Sequence, residues 1–235
     1  MTALGKAIAK GYKATHDGVT KLYRKVTGKF GMTSNELIAS GDDVGRVAGI
    51  VINSDEFAET LAKYSNGTLI KKFPNLSNAE EAIIRYYTGG SHEILNQALE
   101  GAVTLTDDLK AYRNLLRTAL SKLPNHTGLV HRGVFGEEAF LAKTLKVGDN
   151  LTFNSFKFTS KSDEIAELLM NNNGRDVFFE IESKTGKAIE NVSHHANEAE
   201  VLFDTGKRFK VIETTFKPRI TPSDPLIKII KLEEL

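Results

Sequence analysis

Near residue 125 the chain changes character, and this change limits the folds open to it more than any other feature. Before Pro124, apolar residues recur at helical spacing between capping residues; after Gly128 they fall in short runs divided by turn residues. Ser77-Asn78-Ala79-Glu80 has the capping-box pattern, in which the serine accepts from the amide three residues on and the glutamate reaches back. It opens a helix expected over residues 81–87 that stops at Thr88-Gly89-Gly90. A short helix over 93–99 follows, and Thr106 caps a third that runs to about Leu123, where Pro124 closes it. Upstream, Ser34-Asn35-Glu36 starts a helix interrupted at Gly41, and residues 55–63 form another, with Phe57 and Leu61 four apart. Runs at 129–134, 153–160, 177–181, 200–203, 209–216 and 226–232 read as strands, with one short helix over 163–170. Helices first and strands afterwards predict an α+β fold: N-terminal helices followed by a mostly antiparallel β-sandwich.

At 235 residues the chain has the size of one globular domain or of a catalytic domain with a modest extension. Its net charge of +1 supplies no overall field for a nucleic acid or an acidic substrate. Without cysteine there is no disulfide framework, thiolate zinc site or thiol nucleophile. No run of about 18 apolar residues and no signal-peptide pattern is visible, so a protein made in a cytoplasm is expected. Residues 1–30 are locally basic, with Lys6, Lys10, Lys13, Lys21, Arg24, Lys25 and Lys29 against Asp17 alone. Apolar residues at helical spacing make this segment a basic amphipathic extension. It either docks on its own domain or lies on an anionic membrane or a nucleic acid backbone.

Three places carry residues suited to chemistry. Glu198 and Glu200 stand one residue apart before an apolar run; in an extended chain they project from one face, at a cost in like-charge repulsion. They are either a solvated strand edge or a pair that faces something positive. Arg132 lies inside an apolar strand, with Val130 and Val134 on its own side, so it needs an anionic partner: a carboxylate of this chain or a phosphate gripped through two parallel hydrogen bonds. Phe156-Lys157-Phe158-Thr159-Ser160 ends in two hydroxyls, which either cap the helix near Asp163 or belong to a site. His194 and His195 are adjacent and point opposite ways in a strand, so no metal site is expected.

Taken in order, these pieces resemble the arginine-directed mono-ADP-ribosyltransferases, bacterial toxins and phage enzymes marked by an arginine, a Ser-Thr-Ser strand and a Glu-x-Glu loop. Leu129-Val130-His131-Arg132-Gly133-Val134 is similar to the arginine strand, Lys146-Val147-Gly148-Asp149 with residues 156–160 to the second motif, and Asn197-Glu198-Ala199-Glu200-Val201-Leu202-Phe203 with Phe209-Lys210-Val211 to the third. Ala82-Ile83-Ile84-Arg85-Tyr86-Tyr87-Thr88-Gly89 and Ile94-Leu95-Asn96-Gln97-Ala98-Leu99 resemble the family's first helices, so the likeness runs from about residue 75 to 235. It departs at Phe158, where the family most often has a serine that helps hold the catalytic glutamate. Either Thr159, Ser160 or Ser155 is then expected to take over that task, or the register of the strand differs by a residue.

The resemblance implies a catalytic domain over residues 31–235, helical over about 31–124 and NAD-binding over about 128–235. NAD is its substrate and no metal is needed. Glu200 is implied to be the catalytic carboxylate that binds the ribose 2′-hydroxyl, and Glu198 to orient the acceptor guanidinium. Arg132 would hold the diphosphate and the backbone of Gly133 the nicotinamide amide. Phe158, Thr159 and Ser160 would complete the NAD site, with residues 193–197 toward the target. The acceptor implied is an arginine of a target protein, with actin, RNA polymerase or another host protein as candidates. A monomer is expected, acting in a host cytoplasm after phage or toxin delivery. The alternatives are an NAD glycohydrolase, with water as acceptor, and a non-enzymatic module that uses the basic N-terminus.

Overall fold

A computed structural model describes residues 55–134, 136–166, 177–218 and 226–235. The basic segment 1–30 and the helix expected near residues 34–41 lie outside the described residues. The chain divides between Lys122 and Leu123 into two compact units, one helical and one rich in strands. No helix among the described residues is long and apolar enough to cross a membrane.

The helical unit contains α1 (Asp55–Ser65), α2 (Asn78–Tyr86), α3 (His92–Leu99) and α4 (Asp107–Ser121). Ser77 caps α2 with both capping-box bonds: its hydroxyl accepts from the Glu80 amide at 3.2 Å, and Glu80 accepts from the Ser77 amide at 2.7 Å. Such a cap contributes on the order of 1 kcal/mol. The other oxygen of Glu80 receives Lys122 Nζ at 2.6 Å. Burial would raise the Glu80 carboxyl, but this cation and the Ser77 amide outweigh it and hold it below the usual carboxylate range. Thr106 caps α4 as expected. Tyr87 and Tyr112 are almost wholly buried and meet edge to face at 6.3 Å.

The second unit consists of β1 (Asn125–Val134), α5 (Gly136–Thr144), β2 (Asn150–Phe153), β3 (Lys157–Ser160), β4 (Val177–Ala188), β5 (Glu200–Phe203), β6 (Lys207–Lys217) and β7 (Ile227–Glu234). The strands form one sheet in the order β1-β3-β5-β4-β7-β6-β2, with β1 also paired to β4. All pairings are antiparallel except β4–β7. The expected sandwich is therefore corrected to one continuous sheet that closes on itself through β1, β3, β5 and β4. The closure depends on the length of β4, which pairs β7 over Val177–Glu182 and then meets β5 at Lys187 and Ala188. Where the partner changes, only glycine fits: a Cβ on Gly186 would stand 2.6 Å from Cγ1 of Val201. The expected strand over 177–181 is accordingly too short.

The core of this unit is the inner face of the sheet, where Val130, Val134, Phe179, Val201, Phe203, Phe209 and Leu232 cluster. Phe153 joins them with its ring 4.5 Å from that of Phe209. Truncating a buried phenylalanine of this kind costs about 3–5 kcal/mol. The single strand expected over 153–160 is two strands. Phe153 accepts from Gly206 N at 2.6 Å beside β6, the chain bends at Asn154 and Ser155, and β3 pairs β1 and β5 instead. Ser155 and Phe156 are fully buried in that crossing. Ala139 and Ala142 seat α5, a helix the sequence reading did not predict, on the core.

Candidate active site

Strands β1, β3 and β5 bring Arg132, Gly133, Phe158, Thr159, Ser160 and Glu200 to one open cleft, together with Glu198 from the loop before β5. His131 and Ala166 line it too, whereas Ser155, also named from the sequence, is buried and does not. The imidazole of His131 lies 5.7 Å from the ring of Phe178, tilted by 33°.

Arg132 follows the alternation of β1, between the buried Val130 and Val134, and its side chain is largely enclosed. Its partner in this molecule is a carboxylate of the chain itself: Nη2 meets Glu138 Oε2 of α5 at 2.8 Å, while Nη1 donates to the Phe158 carbonyl at 2.9 Å. Lys157 Nζ lies 3.5 Å from the same Glu138 oxygen. Burial would raise the Glu138 carboxyl, but the two cations outweigh it and hold it below the usual range. The guanidinium is thus fixed at two corners, and its buried Nε–H has no hydrogen bond among the described residues. Leaving that buried donor unmet costs free energy.

The two glutamates differ in kind. Glu198 ends a 3₁₀ turn over Ala196–Glu198, Ala199 turns left-handed at φ 48°, and Glu200 opens β5. The extended geometry expected across Glu198 and Glu200 is corrected: a tight turn, not a pleat, brings both to the cleft. A left-handed alanine costs on the order of 1 kcal/mol, offset here by the Lys161 amide, which donates to the Ala199 carbonyl at 3.0 Å. Glu198 stays about one-third exposed, with His195 Nδ1 4.0 Å from its carboxylate. Glu200 is buried. Its carboxyl is pushed up to about 7 by that burial and by the Glu198 charge, against the lowering effect of a hydrogen bond from Ser193.

The hydroxyls are distributed otherwise than expected. Thr159 donates to the Val201 carbonyl and Ser160 to that of Glu198, both at 2.7 Å. Among the described residues it is Ser193 that donates to the Glu200 carboxylate. The expectation that Thr159, Ser160 or Ser155 holds this glutamate is corrected accordingly. Nor do Thr159 and Ser160 supply the helix cap near Asp163: the Ser162 hydroxyl accepts from the Ile165 amide at 3.3 Å. Sequence reasoning missed Glu138, Lys157 and Ser193. Glu138 of α5 meets both Arg132 of β1 and Lys157 of β3, and no spacing marks that meeting; Ser193 stood within the loop assigned to the target, without a role.

The cleft thus combines a fixed arginine with one buried and one partly exposed carboxylate. The family model for NAD:arginine ADP-ribosyltransferase matches residues 55–220, and the chain belongs to that family. It is 31% identical over 145 residues to the arginine ADP-ribosyltransferase Mav of Mycobacterium avium, matching 61% of this chain and 17% of Mav. It is 31% identical over 131 residues to the NAD(+)–protein-arginine ADP-ribosyltransferase Tre1 of Serratia proteamaculans, matching 56% of this chain and 28% of Tre1. The chain therefore spans less than a third of either relative. Among solved structures, exoenzyme S of Pseudomonas aeruginosa, in complex with human 14-3-3 protein beta and bound to carba-NAD, superposes with a TM-score of 0.63 at 20% identity, over 83% of this chain and 89% of that one. The ADP-ribosyltransferase Vis of Vibrio splendidus in complex with agmatine gives 0.56 at 23% identity, over 78% and 86%. At these identities the structural likeness is one of fold.

Proposed function

We propose that this chain cleaves NAD and transfers ADP-ribose to an arginine side chain of a protein, releasing nicotinamide. The observation that carries this reading is the unlike pair of glutamates on the cleft of Arg132, one buried and anchored, the other half-exposed at the rim. Family membership supports it.

In this account Arg132 takes the diphosphate of NAD through its spare donors, Gly133 offers backbone to the nicotinamide amide, and Phe158, Thr159 and Ser160 form the floor. The bond from ribose C1′ to the nicotinamide nitrogen breaks, and its electron pair leaves with nicotinamide. The ribose centre becomes oxocarbenium-like, and ionised Glu200 stabilises it through the 2′-hydroxyl. Glu198 orients the acceptor guanidinium and takes the proton lost as its nitrogen bonds to C1′. The acceptor is an arginine of a host protein, reached after delivery into that cell; actin and RNA polymerase are the first candidates to assay.

The test is incubation with labelled NAD and a cell lysate. Labelled protein bands released by hydroxylamine are the expected result. Free ADP-ribose without bands, even with agmatine added, would replace the reading with an NAD glycohydrolase, and no nicotinamide release at all would leave only the fold.

A further inference from the structure

We propose that Ser193 is the residue that positions the Glu200 carboxylate for the reaction, an assignment that rests on the transferase reading above. Ser193 is almost wholly buried. Its hydroxyl accepts from the His195 amide at 2.9 Å and donates to Glu200 Oε2. A serine hydroxyl has one hydrogen to give, so with its acceptor side met by His195 that hydrogen is directed at the glutamate. The loop is pinned at both ends of this contact. The Val192 and Ser193 amides donate to the Ile189 carbonyl at 2.9 and 2.8 Å, and the Ile189 amide donates to the Glu200 carbonyl at 3.0 Å. Holding Oε2 leaves Oε1, which takes no hydrogen bond among the described residues, for the substrate hydroxyl.

Strand β3 does not serve this purpose here. Thr159 and Ser160 commit their hydroxyls to main-chain carbonyls of Val201 and Glu198. The remaining position on the Ser160 face of the strand is Phe158, paired to Leu202 one step along from Glu200. The anchor of the inner carboxylate lies instead on the loop that also carries Glu198.

The hydrogen bond also favours the ionised form of Glu200, against burial and the Glu198 charge. The other charged or titratable groups are His131 and Arg132 on β1 at the cleft, and Lys161 after β3 with Glu190, His194 and His195 on the segments that flank it. Substitution at Ser193 changes none of their charges, though Ser193→Ala removes the acceptor of the His195 amide.

The experiment compares Ser193→Ala, Ser193→Thr, Ser193→Cys and the double variant S193A/F158S in NAD cleavage, and follows the Glu200 carboxyl by ¹³C NMR titration. Ser193→Ala is expected to lower kcat for nicotinamide release roughly tenfold to hundredfold, with KM for NAD within about twofold. Its Glu200 midpoint moves upward. Ser193→Thr, which keeps the hydroxyl, stays within about threefold of wild type, and Phe158→Ser added to Ser193→Ala recovers at least about threefold of the loss. Should Ser193→Ala not fold, Ser193→Cys, of similar shape but a weak donor, shows the same fall in kcat and the same upward midpoint. An unchanged midpoint with kcat within twofold of wild type overturns the proposal, as does equal loss in Ser193→Ala and Ser193→Thr. If the wild type releases no nicotinamide, the transferase reading fails by itself, and the titration alone decides whether Ser193 holds Glu200.

Discussion

Ser160 stands directly opposite Glu200 in the β3–β5 ladder, yet its hydroxyl passes that carboxylate by and donates to the carbonyl of Glu198 at 2.7 Å. The strand thus fixes the backbone of the outer glutamate, while the loop holds the side chain of the inner one. Ser160→Ala should loosen the turn that aims Glu198, with Glu200 still anchored. A neutral hydrogen bond of this kind is worth about 1 kcal/mol, so transfer to arginine should fall about fivefold. Cleavage of NAD with water as acceptor should fall less than transfer does. The ratio of ADP-ribosyl-agmatine to free ADP-ribose measures this, and an equal fall in both products would contradict it.

Arg132 is held at two corners by Glu138 and the Phe158 carbonyl. Lysine has no planar fork with which to hold both partners and still present a donor to a phosphate. Arg132→Lys should weaken NAD binding at least about tenfold by calorimetry. An unchanged affinity would leave Arg132 a structural counter-ion of Glu138.

Burial of Glu200 also leaves a mark on stability. Its carboxyl titrates near 7 in the folded chain against 4.5 as its ordinary value, so between those limits the native state holds a proton that the unfolded chain has lost. Stability therefore falls as pH rises through this window, and the full cost, at most roughly 3 kcal/mol, is present above pH 7 and absent below about 4.5. Glu200→Gln cannot ionise. Its melting temperature should exceed that of the wild type at pH 8 and converge with it near pH 4.5. A constant difference across that range would show that Glu200 is not the group responsible.

The local signals in the sequence were legible because short-range physics sets them. Ser77 and Glu80 make both bonds of the capping box, and Thr106 caps α4. Arg132, Phe158, Thr159, Ser160, Glu198 and Glu200 were all legible as candidates, since motif order along the chain survives folding. What required the third dimension was missed. Helix α5 exposes Phe140 and Leu141, so its apolar pattern does not mark a buried face. The bend at Asn154 and Ser155 splits one apolar run between opposite parts of the sheet. The left-handed Ala199 places two glutamates by a turn where alternation would have used a pleat. Glu138 finds Arg132, and Ser193 finds Glu200, across contacts that no spacing announces.

The most direct measurement is the yield of nicotinamide and of ADP-ribosyl-agmatine from NAD and agmatine, for the wild type, Glu200→Gln and Glu198→Gln. The account predicts that Glu200→Gln loses both products by several orders of magnitude while remaining folded. Glu198→Gln should lose the agmatine adduct far more than nicotinamide release. Near-wild-type turnover by Glu200→Gln, or equal loss of both products in Glu198→Gln, would contradict the division of labour between the two glutamates.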